Sequence, residues 1–341
     1  MNAGLIGAGN ISDTHARAAL AAGLRIAGVH GANRDKARTL ADRCGTTAFD
    51  SLDALLAQPS LDLVIIGSPS GRHAEQAVAA ARRGRHVLVE KPLDITTARI
   101  DALAQEVARA KITLGVIFQD RLKPDVVAMK RRLDAGELGT PLVATAEVKW
   151  FRPPEYYSAS RWRGTWALDG GGALINQGIH TVDLLLHVLG PVTRVAGLMA
   201  TRQHAIEAED TATALLEFAN GAQGTLDVTT AAFPGSPRRL RIAGTAGSLW
   251  LEGDRLVTTD ATHLRHGSGG RAGSDPIENA SSPVVSDVTA HQRIIEDFVA
   301  AIRDRRAPVC DVTEGRRSVE VVEAVYRSAR DGRAVTLEPR N

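Results

Sequence analysis

The stretch from residue 3 to residue 12 restricts the fold more than any other part of the sequence. A short apolar run at 3–6 predicts a strand, a glycine-containing turn follows at 7–12, and a helical pattern comes next. Strand, glycine turn and helix in this order are the context that a dinucleotide-binding fingerprint requires. Gly7 permits the tight turn, Gly9 lets the backbone approach a pyrophosphate, and the helix N-terminus stabilises its charge. Ser12, at the third position of the fingerprint, is small enough for close helix–strand packing. An ordinary tight turn is the alternative.

Strands and helices alternate along the first third of the chain. Apolar runs predict strands at 25–30, 46–49, 61–66, 87–89 and 113–118, and helical patterns predict helices at 36–44, 51–57, 74–83 and 96–110. Such alternation with near-continuous apolar strands is typical of a parallel, doubly wound sheet. We therefore expect an α/β fold that begins with a Rossmann domain at residues 1–121.

The end of the second predicted strand bears on the choice between NAD and NADP. An acid about 20 residues past the fingerprint binds the adenosine ribose in such folds, but Gly31 occupies the strand end here. The missing acid removes a repulsion against a 2′-phosphate, with which Arg34 can pair. Asn33 can equally hydrogen-bond a plain ribose, and Arg34 can be an ordinary solvated arginine. We expect NAD as the cofactor, with NADP as the alternative.

The turns after the third and fourth strands are expected over the same cofactor. Ser68 and Pro69 lie in the turn after 61–66, and His73, which opens the next helix, either lines the nicotinamide pocket or caps its helix. The candidate cofactor-binding residues are Gly7, Gly9, Asn10, Ile11, Gly31, Asn33, Arg34, Ser68, Pro69, His73, Glu90 and Lys91.

A lysine at a strand end is the first candidate for chemistry. Proline cannot donate to a sheet ladder, so the strand at 87–89 should stop before Pro92 and present Glu90 and Lys91 at its carboxyl end. Ligands bind at this edge of open α/β sheets. We expect Lys91 to take part in chemistry and Glu90 to fix local structure more than it catalyses.

The pattern changes after Arg121. Period-two alternation and tight turns predict strands at 142–150, 192–199, 211–218, 222–229, 238–242, 248–252 and 255–259. We expect a second α/β domain at 122–341 with a large open, mainly antiparallel sheet. A helix at 124–135 begins it, residues 265–286 form a long loop, and helices at 287–305 and 314–331 pack back near the first domain. The open face of the sheet favours a homodimer or a homotetramer.

A glycine run at 170–172 introduces a second group of candidate residues. The helix after it has a polar face formed by Asn176, His180, Asp183 and His187. A neighbouring stripe is expected in the core and consists of Ile175, Ile179, Val182, Leu186 and Leu189. We interpret the glycines as backbone access for a ligand, because a structural helix start would not need them. His180 is the candidate base, with a structural histidine as the alternative.

Aromatic and basic residues precede this glycine run. Trp162, Arg163 and Trp166 are expected to wall a substrate pocket, although the tryptophans can also be core. A basic, aromatic segment suits an anionic substrate and otherwise forms a solvated or subunit-contacting loop; its members are Arg152, Tyr156, Tyr157, Arg161 and Arg163. The candidate substrate-binding residues are Lys91, Arg163, Trp166, Asn176 and His180.

The amino-acid composition limits the kinds of binding partner that the protein can be expected to have. The 41 basic and 39 acidic residues of the 341-residue chain give a net charge of +2, which argues against a nucleic-acid partner. No run reaches the ~18 apolar residues of a membrane span, and Met1 leads into a strand pattern without a secretory leader. Cys44 and Cys310 are too few for a disulfide framework or a metal site, and the histidines are scattered. We expect a cytosolic protein without a metal or a membrane partner.

In their order, these motifs resemble the Gfo/Idh/MocA oxidoreductases. The N-terminal Gly-x-Gly turn, Glu90-Lys91-Pro92, the segment 170–183 and the segment 244–248 match that family, and the resemblance covers essentially the whole chain. It implies an NAD(P)-dependent dehydrogenase or reductase of sugars, polyols, sugar acids or sugar nucleotides. Lys91 would be the catalytic lysine, followed by a cis peptide bond to Pro92, and His180 the catalytic histidine.

One position departs from the family pattern. The family often has Asp four residues before the histidine, and this chain has Asn176, which can orient a hydroxyl but cannot relay a proton. Alcohol oxidation needs hydride transfer to nicotinamide and proton loss to a base, which His180 and the Lys91 charge can support. Two alternatives are an enzyme that uses retained NAD for transient oxidation and a regulatory protein without chemistry.

Overall fold

The computed structural model describes residues 1–258 and 287–338. The chain divides into two compact units. Unit 1 comprises residues 1–122, 167–170 and 284–319, and unit 2 comprises 123–166, 171–283 and 320–341. The predicted loop at 265–286 lies outside the described residues.

Unit 1 contains a five-stranded parallel sheet with the order β2-β1-β3-β4-β5. Its strands are β1 (Asn2–Ile6), β2 (Arg25–His30), β3 (Leu63–Ile66), β4 (His86–Glu90) and β5 (Leu114–Ile117). Its first helices are α1 (Asn10–Ala21), α2 (Arg34–Arg43), α3 (Leu52–Leu56), α4 (His73–Arg82) and α5 (Thr97–Ala110). The apolar strands β3 and β5 are buried along their whole length, as expected where helices cover both faces of a parallel sheet. The predicted parallel, doubly wound sheet is confirmed.

The strand predicted at 46–49 is wrong. Val29 donates to Thr47 and accepts from Phe49, so this segment forms a single parallel bridge beside the edge strand β2. The chain cannot continue the pairing, because Ser51 caps the next helix by accepting the N–H of Ala54.

Unit 2 contains an eight-stranded sheet with the order β12-β11-β10-β6-β9-β8-β7-β13. Its strands are β6 (Pro141–Lys149), β7 (Val192–Ala200), β8 (Thr211–Phe218), β9 (Gln223–Thr229), β10 (Arg239–Gly244), β11 (Ser248–Glu252), β12 (Arg255–Thr258) and β13 (Val335–Thr336). Among the described strands of this sheet, only β6 and β9 pair in parallel, so the predicted mainly antiparallel sheet is confirmed. The short strand β13 has two residues, too few to show an alternating pattern, and was not predicted.

One face of the unit 2 sheet is apolar and exposed in part. Along β8, alternate residues are buried, and Leu215 between them is 60% exposed. Leu198 on β7 and Val143 on β6 are exposed as well, at 73% and 51%. The strand pairing places these side chains on the same face of the sheet.

The remaining helices are α6 (Pro124–Asp134), α7 (Glu155–Ser158), α8 (Ile179–Leu189), α9 (Thr289–Asp304) and α10 (Val312–Asp331). Helix α9 packs on the unit 1 sheet, where a Cβ on Gly115 would lie 2.8 Å from the Phe298 ring. Phe298 belongs to the same buried core as Leu5, Ile65 and Leu88. Among the described residues, no helix combines the length and apolar character needed to cross a bilayer.

Candidate active site

The glycine turn after β1 lies at the carboxyl edge of the unit 1 sheet. Gly7 has φ of 114°, and a Cβ there would lie 2.6 Å from the Gly67 carbonyl oxygen, so only glycine fits. A Cβ on Gly9 would meet nothing within 4 Å, and no side chain caps the helix that starts after it. The first N–H groups of α1, at Asn10 and Ile11, therefore lie next to open space. This arrangement fits the pyrophosphate of a dinucleotide.

The predicted ribose-binding residues have protein partners. Asn33 caps α2 by accepting the N–H of Lys36 at 3.0 Å. Arg34 Nε lies 3.5 Å from Asp50 Oδ1 in an exposed ion pair. A Cβ on Gly31 would lie 3.0 Å from the Ala8 Cβ, so glycine allows the end of β2 to pack against the first turn.

His73 connects the turns that follow β3 and β4. The ring is buried; Nδ1 lies 2.7 Å from the Pro92 carbonyl oxygen, and Nε2 lies 2.9 Å from the Ser68 carbonyl oxygen. Burial lowers the pKa of His73, whereas two carbonyl acceptors favour a ring that donates from both nitrogens. Both ring nitrogens are engaged by backbone carbonyls, which shows a structural role, and a cofactor contact through His73 stays a prediction. Pro69 leads into a short 3-10 turn.

Glu90 is the centre of a buried cluster with two histidines. Its Oε1 lies 3.0 Å from His15 Nε2 and 4.0 Å from His291 Nε2, and its Oε2 accepts the N–H of Lys91 at 2.9 Å. Burial alone would raise the pKa of Glu90, but the hydrogen bond from His15 and the nearby positive charges lower it to about 2. Glu90 is therefore an anion that holds the strand end.

This cluster corrects the prediction that the histidines are scattered. His15 and His291 lie far apart in the sequence and meet the Glu90 carboxylate in the fold, because α1 packs against α9 and α9 packs against β4. These are ligand types that could hold a metal ion, but both Glu90 oxygens already have protein partners. The cofactor contact of Glu90 stays a prediction. Its expected role in local structure agrees with these contacts.

Lys91 follows β4 directly, and its peptide bond to Pro92 is cis, as the family resemblance implied. The strand ends at Glu90, so the prediction that it stops before the proline is confirmed. Strand β4 lies between β3 and β5, and β3 pairs with β1 on its other side. Lys91 and the Gly7–Gly9 turn therefore leave the same edge of one sheet.

In unit 2, Asn176 and His180 lie at the start of a helix. Leu174–Gly178 forms a π-helical turn that contains Asn176, and α8 follows with His180 in its first turn. Both side chains are half-buried. The predicted core stripe is confirmed, since all five of its residues are buried: Ile175, Ile179, Val182, Leu186 and Leu189. Asp183 is also fully buried, so the predicted polar face is wrong at this position, because α8 is covered on nearly all sides.

The glycines before this helix have a packing reason, which corrects their interpretation as ligand access. A Cβ on Gly172 would overlap the carbonyl oxygen of Glu209, and a Cβ on Gly171, at φ of 156°, would overlap the hydroxyl of Tyr326. Glu209 was missed in the sequence, where it is one acid just before an alternating strand. Burial raises the pKa of Glu209 to about 7, although four hydrogen bonds act to lower it.

Neighbouring side chains orient the amide of Asn176. Its Oδ1 accepts from Gln177 Nε2 at 2.9 Å and from the Tyr156 hydroxyl at 3.4 Å. The Arg163 guanidinium stacks on the Tyr156 ring at 4.3 Å and on the Trp162 ring at 5.3 Å. Arg163 also lines an open cleft of about 540 Å³.

The rest of the basic, aromatic segment is divided between core and surface. Arg152 is only 2% exposed, and burial lowers its pKa. Tyr157 is buried and shares a hydrogen bond of 2.8 Å with Thr230. A solvated loop is therefore wrong for these two residues, while Arg161 is exposed. Trp166 is half-buried, and it packs edge-on to Tyr326 at 5.2 Å and under Arg330 at 4.9 Å. Its predicted place in a substrate pocket stays a prediction.

Comparisons with known proteins agree with this arrangement. Residues 1–118 match the model of an oxidoreductase family with an NAD-binding Rossmann fold, and residues 126–250 match the GFO/IDH/MocA C-terminal domain. The chain is 31% identical to a D-xylose 1-dehydrogenase (NADP(+)) from Haloferax volcanii over 90% of this chain and 91% of the relative. It is 30% identical to a UDP-N-acetylglucosamine 3-dehydrogenase from Acidithiobacillus ferrooxidans over 93% of both chains. A crystal structure of the WlbA dehydrogenase from Bordetella pertussis with NADH and UDP-GlcNAcA superimposes with a TM-score of 0.87, at 31% identity and 99% coverage of both chains.

Proposed function

The chain belongs to the Gfo/Idh/MocA family of NAD(P)-dependent oxidoreductases, and we propose that it oxidises a secondary alcohol of a sugar, polyol, sugar acid or sugar nucleotide. The observation that carries this proposal is the shared sheet edge of unit 1. The glycine turn that fits a dinucleotide follows β1, and Lys91 follows β4 at the same edge. A cation so placed can act on a substrate at the nicotinamide end of the cofactor.

We propose separate roles for the three candidate catalytic residues. When bound, the nicotinamide cofactor supplies the acceptor for the hydride. The Lys91 ammonium orients the hydroxyl and stabilises the negative charge that develops on its oxygen. His180 takes the hydroxyl proton, a transfer for which imidazole is suited near neutral pH. Asn176 hydrogen-bonds a substrate hydroxyl and moves no proton, since an amide does not titrate.

Within this substrate class, Arg163 favours a substrate that carries an anionic group. Its guanidinium lines an open cleft and stacks on Tyr156, which in turn hydrogen-bonds Asn176. Arginine binds carboxylates and phosphates through paired N–H groups. The relatives act on both an uncharged pentose and a sugar nucleotide, as their names state. We therefore place a sugar acid or sugar nucleotide ahead of a neutral sugar.

We propose NAD rather than NADP as the preferred cofactor. Arg34 is the predicted partner of a 2′-phosphate, and it pairs with the Asp50 carboxylate. That carboxylate would repel a phosphate at the same position. We also propose that the exposed apolar face around Leu198 and Leu215 joins two or four copies of the chain, which a molar mass from light scattering would test.

A substrate screen tests the proposed function. The purified chain is assayed with NAD and NADP against aldoses, polyols, aldonates and sugar nucleotides, including D-xylose and UDP-N-acetylglucosamine. Lys91→Ala and His180→Ala should each lower kcat by at least about 100-fold on the compound oxidised fastest, in the range expected for loss of an acid–base group. The dissociation constant for NAD should stay within about twofold, because neither side chain needs to hold the pyrophosphate.

Matched controls separate chemistry from folding. Lys130→Ala removes a half-buried lysine of α6, and His187→Gln changes the second half-buried histidine of α8. Both controls should keep wild-type kcat. Full activity of Lys91→Ala and His180→Ala on the true substrate would contradict the assignment. Product formed without release of reduced cofactor would instead identify an enzyme that uses NAD for transient oxidation.

A further inference from the structure

Glu209 contacts the beginning of the helical segment that carries Asn176 and His180. We propose that Glu209, together with Tyr326, is a positioning residue that fixes these two side chains for the reaction. The inference rests on the proposed dehydrogenase function and adds a residue to it. Glu209 is 2% exposed, and its carboxyl group lies entirely within unit 2.

Four consecutive N–H groups at the start of this segment are bound by the two residues. Glu209 Oε2 accepts the N–H of Gly172 at 2.9 Å, and Oε1 accepts the N–H of Leu174 at 2.8 Å. The backbone carbonyl of Glu209 accepts the N–H of Ala173 at 2.9 Å. The Tyr326 hydroxyl accepts the N–H of Ile175 at 3.3 Å. These are the donors that a helix leaves unpaired at its N-terminus, and here Glu209, in the loop before β8, and Tyr326, on α10, bind all four.

The first intrahelical bond follows directly after this set. The N–H of Asn176 bonds to the carbonyl of Gly172 at 3.1 Å. Asn176 is therefore the first residue whose backbone is held by the helix itself, and its position depends on the four N–H groups before it. His180 lies about one turn further on. A change in the cap therefore moves both side chains together.

The glycines and Tyr326 show that the segment is held from outside. The room that Gly171 and Gly172 leave is filled by the Tyr326 hydroxyl and the Glu209 backbone. Tyr326 also donates to Glu209 Oε1 at 2.9 Å, so α10 and the loop before β8 hold the segment through one hydrogen-bonded pair. The segment itself is a π-helical turn, a conformation that is uncommon and frequent at functional sites.

The charge of Glu209 decides how well this cap works. Burial raises the pKa of the carboxyl group to about 7, and Tyr326 is the titratable group that contacts it. The carboxylate accepts from the N–H groups of Gly172 and Leu174 and from the Tyr326 hydroxyl, in addition to its own backbone N–H. Protonation turns one carboxyl oxygen from an acceptor into an O–H donor, which changes the pattern of donors and acceptors in the cap. The position of Asn176 and His180 should then change within the neutral pH range.

The test compares Glu209→Gln and Tyr326→Phe with wild type, using the compound that the wild type oxidises fastest. Displacements of about 1 Å can lower rates by 10²-fold. We expect kcat to fall about tenfold in Glu209→Gln and about threefold in Tyr326→Phe, with KM and the NAD dissociation constant within about twofold. The pH profile of kcat should lose one ionisation near 7 in Glu209→Gln. Glu217→Gln, an exposed glutamate of β8, is the control and should match wild type.

Amide hydrogen exchange of the peptide 170–180 tests the positioning without a substrate. After correction for the intrinsic rate, exchange of this peptide should be faster in both variants than in wild type. If the wild type oxidises nothing, the proposed function fails, and this measurement still decides the inference. The inference is overturned if both variants keep wild-type kcat, pH profile and exchange. If Glu209→Gln does not fold, the same three readouts on Tyr326→Phe decide.

Discussion

The two units each combine a glycine turn, a helix start and a buried glutamate, and they use these parts in opposite ways. In unit 1, Glu90 faces His15 and His291, and its pKa falls to about 2. In unit 2, Glu209 faces uncharged N–H and O–H donors, and its pKa rises to about 7. Both carboxyl groups are almost completely buried. The opposite pKa shifts show that the neighbours of a buried carboxyl group, more than the extent of its burial, decide whether it is charged.

The glycine turns differ in the same manner. A Cβ on Gly9 would meet nothing within 4 Å, so the unit 1 turn leaves room that a cofactor can occupy. A Cβ on Gly172 would overlap the Glu209 carbonyl oxygen, so the unit 2 turn has its room filled by protein. One glycine run is thus open to a ligand and the other is closed by packing.

Gly172→Ala should have the largest effect, because the added methyl group overlaps backbone that cannot rotate away. We expect the free energy of unfolding to fall by about 4 kcal/mol or more, the range of severe packing defects. Urea denaturation followed by circular dichroism measures it. Gly247→Ala is the control, since its nearest contact would be 3.6 Å away. Equal free energies of unfolding for Gly172→Ala and Gly247→Ala would show that protein does not fill the space beside Gly172.

The two Glu→Gln substitutions should respond oppositely to pH. Glu90 has a folded pKa of about 2, below its ordinary value of 4.5, so its charge stabilises the fold above about pH 4.5 and loses this effect as pH falls towards 2. Glu90→Gln should therefore lower the free energy of unfolding at pH 7 by about 3 kcal/mol. Exposed Glu75→Gln should change it by less than about 0.5 kcal/mol.

The pKa of Glu209 is shifted in the opposite direction to that of Glu90. Its folded pKa of about 7 lies above the ordinary value of 4.5, so the stability that its proton gives is present below about pH 4.5 and is lost as pH rises through 7. As pH rises from about 4.5 to 7, the free energy of unfolding of Glu209→Gln should increase relative to that of wild type, by up to about 3 kcal/mol. Urea denaturation at pH 5 and pH 8 measures it. A relative loss of stability towards pH 8 would mean that Glu209 is already ionised at pH 5.

The sequence predicted the fold and the placement of Lys91 because both depend on local patterns. Apolar runs, turns and a proline that ends a strand are all visible within a few residues. The Glu90 cluster was not visible, because His15 and His291 come from opposite ends of the chain and meet only through packing against β4. The role of Gly172 was misread for a related reason. A sequence shows that a side chain is missing, but it does not show whether protein or ligand fills the space.

Gly9→Ala should have the smallest effect on the fold and a selective effect on the cofactor. Its φ of −87° suits alanine, and the added methyl group meets no protein atom within 4 Å, so the free energy of unfolding should stay within about 0.5 kcal/mol of wild type. The methyl group occupies the space beside the first N–H groups of α1, where a pyrophosphate would bind. We expect the NAD dissociation constant, from a fluorescence titration, to rise about tenfold or more, which is about 1.4 kcal/mol. If NAD bound Gly9→Ala as tightly as wild type, the open space at this turn would not be the pyrophosphate site. The two glycine turns would then differ in packing but not in cofactor binding.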